Sequence, residues 1–235
     1  MLKFNVMDLL YENPLAKPED VREFRMEGDG AVSFPLGRMR LESKRAPEEG
    51  QKANLVYWCP MDFPDHILVS WDFYPIREPG LAIMFFAARG LHGEDLFDPA
   101  LTRREGIYSQ YFDGDINTLH ISYFRRRYPG ERAFTTCNLR KSKGGHLVAQ
   151  GADPIPSIPD ADPPYHIELL KAGPHVVFSI RHKEQRIECL SWYDDQQVGP
   201  VLGSGKIGFR QMAPLIAEYA NLRVSRVELE SGQTD

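Results

Sequence analysis

The densest chemistry in this chain lies between residues 117 and 147, in "NTLHISYFRRRYPGERAFTTCNLRKSKGGHL". Seven cations, Arg125, Arg126, Arg127, Arg132, Arg140, Lys141 and Lys143, stand there against one carboxylate, Glu131. Seven minus one leaves +6 in this stretch, so the remainder of a chain of net charge −5 carries −11. Strand parity sorts the stretch further. In "NTLHISYFR", His120, Ser122, Phe124 and Arg126 alternate with Leu119, Ile121 and Tyr123. In "AFTTCNLRK", Phe134, Thr136, Asn138 and Arg140 alternate with Ala133, Thr135, Cys137 and Leu139. With the apolar sets on a core, one open face collects His120, Ser122, Thr136, Asn138 and Arg140, with Phe124 and Phe134 near the turn. Asp72 joins them if its strand shares the sheet, because Trp71 and Phe73 take the core side.

Planar hydrogen-bonding side chains mixed with aromatic rings suit a hydroxyl-rich ligand, and the guanidinium fork suits a carboxylate held bidentately. A basic groove in an acidic protein therefore points to an anionic small ligand such as a uronic oligosaccharide. In that reading Arg140, Lys141 and one of Arg125, Arg126 and Arg127 hold the carboxylate, while Ser122, Thr136 and Asn138 complete the binding set. His120 moves a proton near neutral pH, with Tyr123 or Asp72 as its partner. The competing reading makes the arginines a solvated strand end and His120 a structural residue. Nucleic acid is not expected as a partner, since the acidic net charge and acidic flanks weaken the non-specific electrostatic term.

Other constellations are weaker. "DGDIN" offers Asp113 and Asp115, and "GEDLFD" offers Glu94 and Asp95, as a calcium option between two loops. The twelfth position from Asp113 is Phe124, which rules out an EF-hand, and turn or capping roles compete for the same carboxylates. No cofactor is required by the residues present. The histidines form no HxH or HExxH pattern, so no zinc site is indicated. Carboxylates two apart on one strand, the mark of retaining glucanases on β-sandwiches, are missing: "VSWDFYP" has only Asp72 and "HIELL" only Glu168. There is no nucleophile elbow, P-loop or dinucleotide fingerprint. Three functions stay open: a hydrolase, lyase or dehydratase of acidic oligosaccharides, a non-catalytic lectin-like binder, and a structural sandwich that forms a homodimer.

The elements that must position these residues are strands. The chain has 235 residues, 42% of them hydrophobic and 26% charged, which suits one globular domain. No apolar run approaches the roughly 20 residues of a membrane helix, so no membrane association is expected. "MLKFNVMDLLYENPLAK" is a broken apolar patch without the h-region of a signal peptide. Cys59, Cys137 and Cys189 make neither a CxxC pair nor a disulfide framework, which suits a reducing, cytoplasmic setting. "KPEDVREF" predicts a short helix or turn. The rest alternates with period two between Gly, Pro and Asp, as in "HILVSWDFYP", while "GLAIMFFAA" is apolar on both sides, as a strand covered on both faces should be. About eleven or twelve strands without strand–helix alternation predict an all-β fold, a two-sheet sandwich or a barrel. Two insertions, residues 89–115 and 150–164, flank the basic hairpin and are expected to wall or cover a site.

The segments "DVREFRMEGDGAVSF", "VYWCPMDFPD", "WDFYPIREPGLAIMFFAARGLHGEDLFDP", "DINTLHISYFRRRYPGERAFTTCNLRKSKGGHLVAQGADPIP" and "GPVLGSGKIGFRQMAP" resemble the YesU-like family. That is a bacterial domain of unknown function in the concanavalin A-like lectin/glucanase superfamily. The resemblance spans nearly the whole chain. It implies a concanavalin A-like jelly-roll β-sandwich of two antiparallel sheets. It also implies a place among systems that take up and degrade pectin-type rhamnogalacturonan, which agrees with a cytoplasmic protein handling imported acidic oligosaccharides. No site residue follows from it.

Overall fold

Ile67, Val69, Trp71 and Phe73 are at most 4% exposed, while the residues between them are more open or lie on the opposite face. That alternation is the pattern of a strand with one face on a core. The structure is a computed structural model and describes residues 2–126, 128, 130 and 135–230. Arg127, Arg132 and Phe134 of the expected groove lie outside them. Among the described residues there are fifteen strands. They are β1 Phe4–Asn13, β2 Arg25–Glu27, β3 Gly30–Ser33, β4 Met39–Ser43, β5 Leu55–Trp58, β6 Ile67–Arg77, β7 Gly80–Gly90 and β8 Ile116–Arg126. They continue as β9 Thr136–Lys141, β10 His146–Ala152, β11 Tyr165–Ala172, β12 His175–His182, β13 Gln185–Tyr193, β14 Lys206–Met212 and β15 Ile216–Leu229. The count exceeds the eleven or twelve expected because β1, β2 and β10 are added; β1, read as a broken apolar patch, pairs with β15 although Val6, Met7 and Leu9 are exposed. "KPEDVREF" contributes a single 3-10 turn, Pro18–Val21.

The strands form two antiparallel sheets. The first runs β13-β12-β11-β6-β15-β4-β3 with β1 beside β15, and the second runs β10-β9-β8-β7-β14-β5-β2. This is a jelly-roll sandwich whose main core draws Trp71, Phe73, Tyr165 and Tyr219 from the first sheet and Met84, Tyr123, Leu139 and Phe209 from the second. Phe73 sits inside a ring of aromatic neighbours, 5.1 Å from Tyr123, 5.4 Å from Phe124 and 5.7 Å from Tyr219.

β7 is covered on both faces, as its unbroken apolar run requires. Ala82, Met84 and Phe86 enter the main core, while Ile83 and Phe85 enter a second cluster on the outer side of the second sheet. The first insertion supplies that cover with Leu96 and Tyr111, packed on Trp58. A polar network ties it down. Glu27 accepts hydrogen bonds from Arg104 at 3.0 Å and from the Tyr111 hydroxyl at 2.8 Å, and Arg104 also donates to the Leu96 carbonyl. Among the described residues, the second insertion packs onto the sandwich. Its Ile155 is buried in the main core, and Asp153 pairs with Arg126 at the sandwich edge.

Candidate functional site

Strand pairing in the second sheet aligns Asn138, Ser122, Ile83, Arg210 and Val56 across one row, and Arg140, His120, Phe85, Gly208 and Trp58 across the next. Apart from Gly208, which has none, these residues send their side chains off the outer face of the sheet. Where the first insertion stops short of covering them, a cleft of about 460 Å3 remains, within the roughly 300–1,000 Å3 of small-ligand sites. Its polar lining is Gln51, His120, Ser122, Arg125, Asn138 and Arg140, and its apolar lining includes Leu81, Ile83, Tyr108, Phe112 and Met212. Tyr108 and Phe112 belong to the insertion, and their rings meet edge to face at 4.8 Å. Phe112 is held in turn by the β9–β10 turn, where Gly144 N–H donates to its carbonyl at 2.7 Å. A side chain on Gly145, whose φ is +62°, would crowd the Phe112 ring.

No Asp or Glu lines the cleft among the described residues. Arg140 donates through Nη1 to the Gly145 carbonyl at 2.7 Å and has no carboxylate partner among them. The lining thus combines cationic groups and amides with rings and aliphatic groups.

His120 lies at the cleft floor, 1% exposed, with Nε2 at 2.8 Å from the Tyr108 hydroxyl and Nδ1 buried without a partner among the described residues. Burial, followed by the positive charges of Arg140 and Arg210, holds its pKa down to about 3. The imidazole is therefore neutral at neutral pH and carries one N–H. Either the phenol donates to Nε2, or Nε2–H donates to the phenol oxygen and turns the phenolic hydrogen into the cleft. In the unfolded chain the same group titrates near pH 6.5. Between pH 6.5 and 3 the unfolded state binds a proton that the folded state refuses. The contribution to stability is whole above that window and is lost as pH falls through it, by up to about 1.4 kcal/mol per pH unit. Urea midpoints measured down this range should fall less steeply for His120→Gln. Equal slopes for the two proteins would mean that His120 is not the group responsible.

Below Tyr108 lies Arg210, wholly buried. Its Nη1 donates to the Gly106 carbonyl at 2.8 Å, while Nε and Nη2 have no partner among the described residues. The guanidinium sits 5.4 Å from the Tyr108 ring and 5.3 Å from the Tyr111 ring, a cation–π arrangement that partly replaces lost solvation. The nearby carboxylate, Glu27, is engaged by Arg104 and Tyr111.

The structure brings together five of the expected residues: His120, Ser122, Arg125, Asn138 and Arg140. Five others go elsewhere. Tyr123 is in the main core, where its hydroxyl accepts the Trp71 indole N–H at 3.1 Å, and burial pushes its pKa well up. Asp72 is on the other sheet, bonded to His166 at 2.8 Å and Asn221 at 2.7 Å. Arg126 is buried against Asp153 at 3.0 Å and the Ile155 carbonyl. The reason is a β-bulge. Ala82 pairs with Tyr123 but Gly80 pairs with Arg126, so β8 carries one extra residue here. Phe124 takes a φ of +49°, Tyr123 and Phe124 both turn into the core, and parity flips beyond them. Arg125 thereby replaces Arg126 on the cleft. Lys141 shares the parity of Cys137 and Leu139. It is buried, with Nζ at 2.6 Å from Asp194 and 2.9 Å from the Gly199 carbonyl. Thr136 is half-buried, does not line the cleft, and has a hydroxyl without a partner among the described residues.

The calcium set is not assembled. Asp95 pairs with Lys206 at 2.8 Å, and Glu94 accepts the His92 N–H. Asp115 accepts the Thr102 N–H, Asp113 joins no cage, and no three metal-binding side chains meet among the described residues. Sequence reasoning missed Tyr108, Phe112, Gln51 and Arg210. The alternation of Ile207 and Phe209 could have placed Arg210 on the outer face, whereas nothing local marks the two insertion aromatics as cleft walls.

The family model for "Domain of unknown function (DUF1961)" matches residues 8–224. The chain is 53% identical over 216 residues to "Uncharacterized protein YesU" of Bacillus subtilis (strain 168), covering 92% of this chain and 94% of that one. It superposes with a TM-score of 0.90 on the crystal structure of a protein of unknown function with galectin-like fold from Bacillus subtilis. That protein is 51% identical, and the match covers 97% of this chain and all of the other. The exoplasmic/lumenal domain of VIP36 in its Ca2+/Man3GlcNAc-bound form shares the fold at a TM-score of 0.61 and 11% identity, over 97% of this chain and 93% of that one. The protein therefore belongs to the YesU-like family, the domain of unknown function DUF1961, within the lectin-like jelly-roll sandwiches.

Proposed function

We propose that this protein binds carbohydrate in the outer cleft of its second sheet, and that the ligand is acidic, an oligosaccharide bearing a uronate carboxylate. The observation that carries this is the charge of the lining: Arg125 and Arg140 face a space that no Asp or Glu enters among the described residues. Ser122, Asn138 and Gln51 supply donors and acceptors for hydroxyl groups, and Tyr108 and Phe112 supply ring surface for sugar C–H faces. The sugar-bound VIP36 domain shares the fold and supports the ligand class at that level. Glycoside hydrolysis is disfavoured because no Asp or Glu among the described residues lines the cleft to supply the two carboxyl groups such catalysis uses. All three cysteines are buried free thiols, which supports a reducing, cytoplasmic setting for this role.

Oligogalacturonates should raise the melting temperature, by an amount equivalent to about 2.7 kcal/mol at a hundredfold excess over Kd. Reduced, neutral galactose oligosaccharides of the same length should not. Arg140→Ala removes a charge-assisted contact of about 1.5–3 kcal/mol, which weakens binding about 10- to 100-fold. Equal responses to acidic and neutral sugars, or an unchanged Kd in Arg140→Ala, would defeat the assignment.

A further inference from the structure

We propose that the same cleft carries out a β-elimination, with Tyr108 and His120 as its proton-transfer pair and a 4-linked uronate as its substrate. The inference rests on the acidic-sugar reading above and adds a reaction to it. A hydrogen α to a carboxylate is removed only when the charge that builds on the carboxylate oxygens is stabilised. Arg125, Arg140 and the Asn138 amide are the donors that face the cleft for this purpose. The groups that move the proton must reach each other and the substrate. Tyr108 lines the cleft, and its hydroxyl lies 2.8 Å from His120 Nε2, within direct transfer distance.

Two further features fit this chemistry better than simple binding. His120 is 1% exposed and its Nδ1 has no partner among the described residues, so no carboxylate among them fixes the ring as a permanent cation. Burial and the charges of Arg140 and Arg210 keep it neutral at rest, and a substrate carboxylate seated beside Arg140 offsets part of that charge and makes the ring a better proton acceptor. Arg210, buried beneath Tyr108 with two nitrogens unpartnered among the described residues, places a positive charge under the phenol ring. Burial raises the Tyr108 pKa, and the charges of Arg140 and Arg210 offset only part of that rise.

In the step itself, Tyr108 Oη takes the C5 hydrogen of the uronate as its own phenolic hydrogen passes to His120 Nε2. The C5–H electron pair becomes the C4=C5 double bond and the C4–O4 bond breaks. The proton held by His120 returns through Tyr108 to the departing O4. Both residues end as they began, no water is consumed, and nothing is oxidised or reduced.

The test uses the full chain with oligogalacturonates and with rhamnogalacturonan fragments, followed by ultraviolet absorbance of the conjugated product and by mass spectrometry. The expected result is cleavage into fragments whose masses sum to that of the parent. Tyr108→Phe and His120→Gln should each lose about 100-fold or more in rate. The Tyr108→Phe loss should fall in kcat far more than in KM, because the ring wall remains. Three results would overturn the elimination while leaving the binding reading intact: a thermal shift with unchanged ligand mass, fragments heavier by one water, or a Tyr108→Phe rate within twofold of the parent. No thermal shift with either acidic probe would remove the binding reading, and the elimination with it.

Discussion

Lys141→Met is expected to cost the fold about 3–5 kcal/mol while leaving the affinity for an acidic sugar unchanged. Lys141 and Asp194 are 1% and 3% exposed in their side chains, and their contact at 2.6 Å is the main charge compensation that either receives. The Gly199 carbonyl completes the ammonium and the Gln196 N–H the carboxylate. Truncating one partner leaves the other buried and unpaired, which is far more destructive than replacing both. Urea unfolding of Lys141→Met, Asp194→Leu and the double variant measures this directly. The double variant should recover most of the loss. Because Lys141 points away from the cleft, isothermal titration on the folded fraction should give the parental Kd. A weakened Kd there would restore Lys141 to the ligand site and undo the parity argument.

Trp58→Ala should cost a comparable 3–5 kcal/mol, and in this case the ligand site goes with it. Trp58 is fully buried on the outer face of the second sheet, 5.5 Å from Phe85 and 6.4 Å from Tyr111. Its ring lies over Gly208, where a Cβ would come within 2.4 Å of it, so the glycine is what lets the indole lie flat on the sheet. Its Nε1 has no partner among the described residues, so the substitution removes packing and no hydrogen bond to them. The void opens beneath Tyr111, the residue that anchors the first insertion, and Tyr108 and Phe112 on that insertion wall the cleft. Thermal-shift response to oligogalacturonate should therefore vanish in Trp58→Ala at temperatures where far-ultraviolet circular dichroism still shows a folded protein. Trp58→Phe, which keeps a ring, should retain part of it. A full ligand response in Trp58→Ala would mean that the insertion is held by its polar network alone.

How much of this was legible beforehand follows the range of each interaction. Period-two alternation marked β6, β8 and β9 correctly, and it put His120, Ser122, Asn138 and Arg140 on one face, because side-chain direction in an extended chain is set by each residue's immediate neighbours. The same rule, applied strictly, puts Lys141 with Cys137 and Leu139 and so on the buried side. The family resemblance added the sandwich, and the double-sided apolar run of β7 announced a covered sheet.

Three things were decided by tertiary structure alone. The extra residue at Tyr123–Phe124 is defined only by pairing with Ala82 and Gly80 on another strand, so it could not be seen that Arg125, not Arg126, meets the cleft. Asp72 is excluded because β6 was taken into the opposite sheet, a choice made by which apolar faces bury one another. Tyr108 and Arg210, a hundred residues apart in the chain, stand together only because the first insertion folds back over Trp58 and Phe85. Local sterics write the direction of each side chain into the sequence, whereas the company it keeps depends on burial between distant segments, which no single stretch of sequence contains.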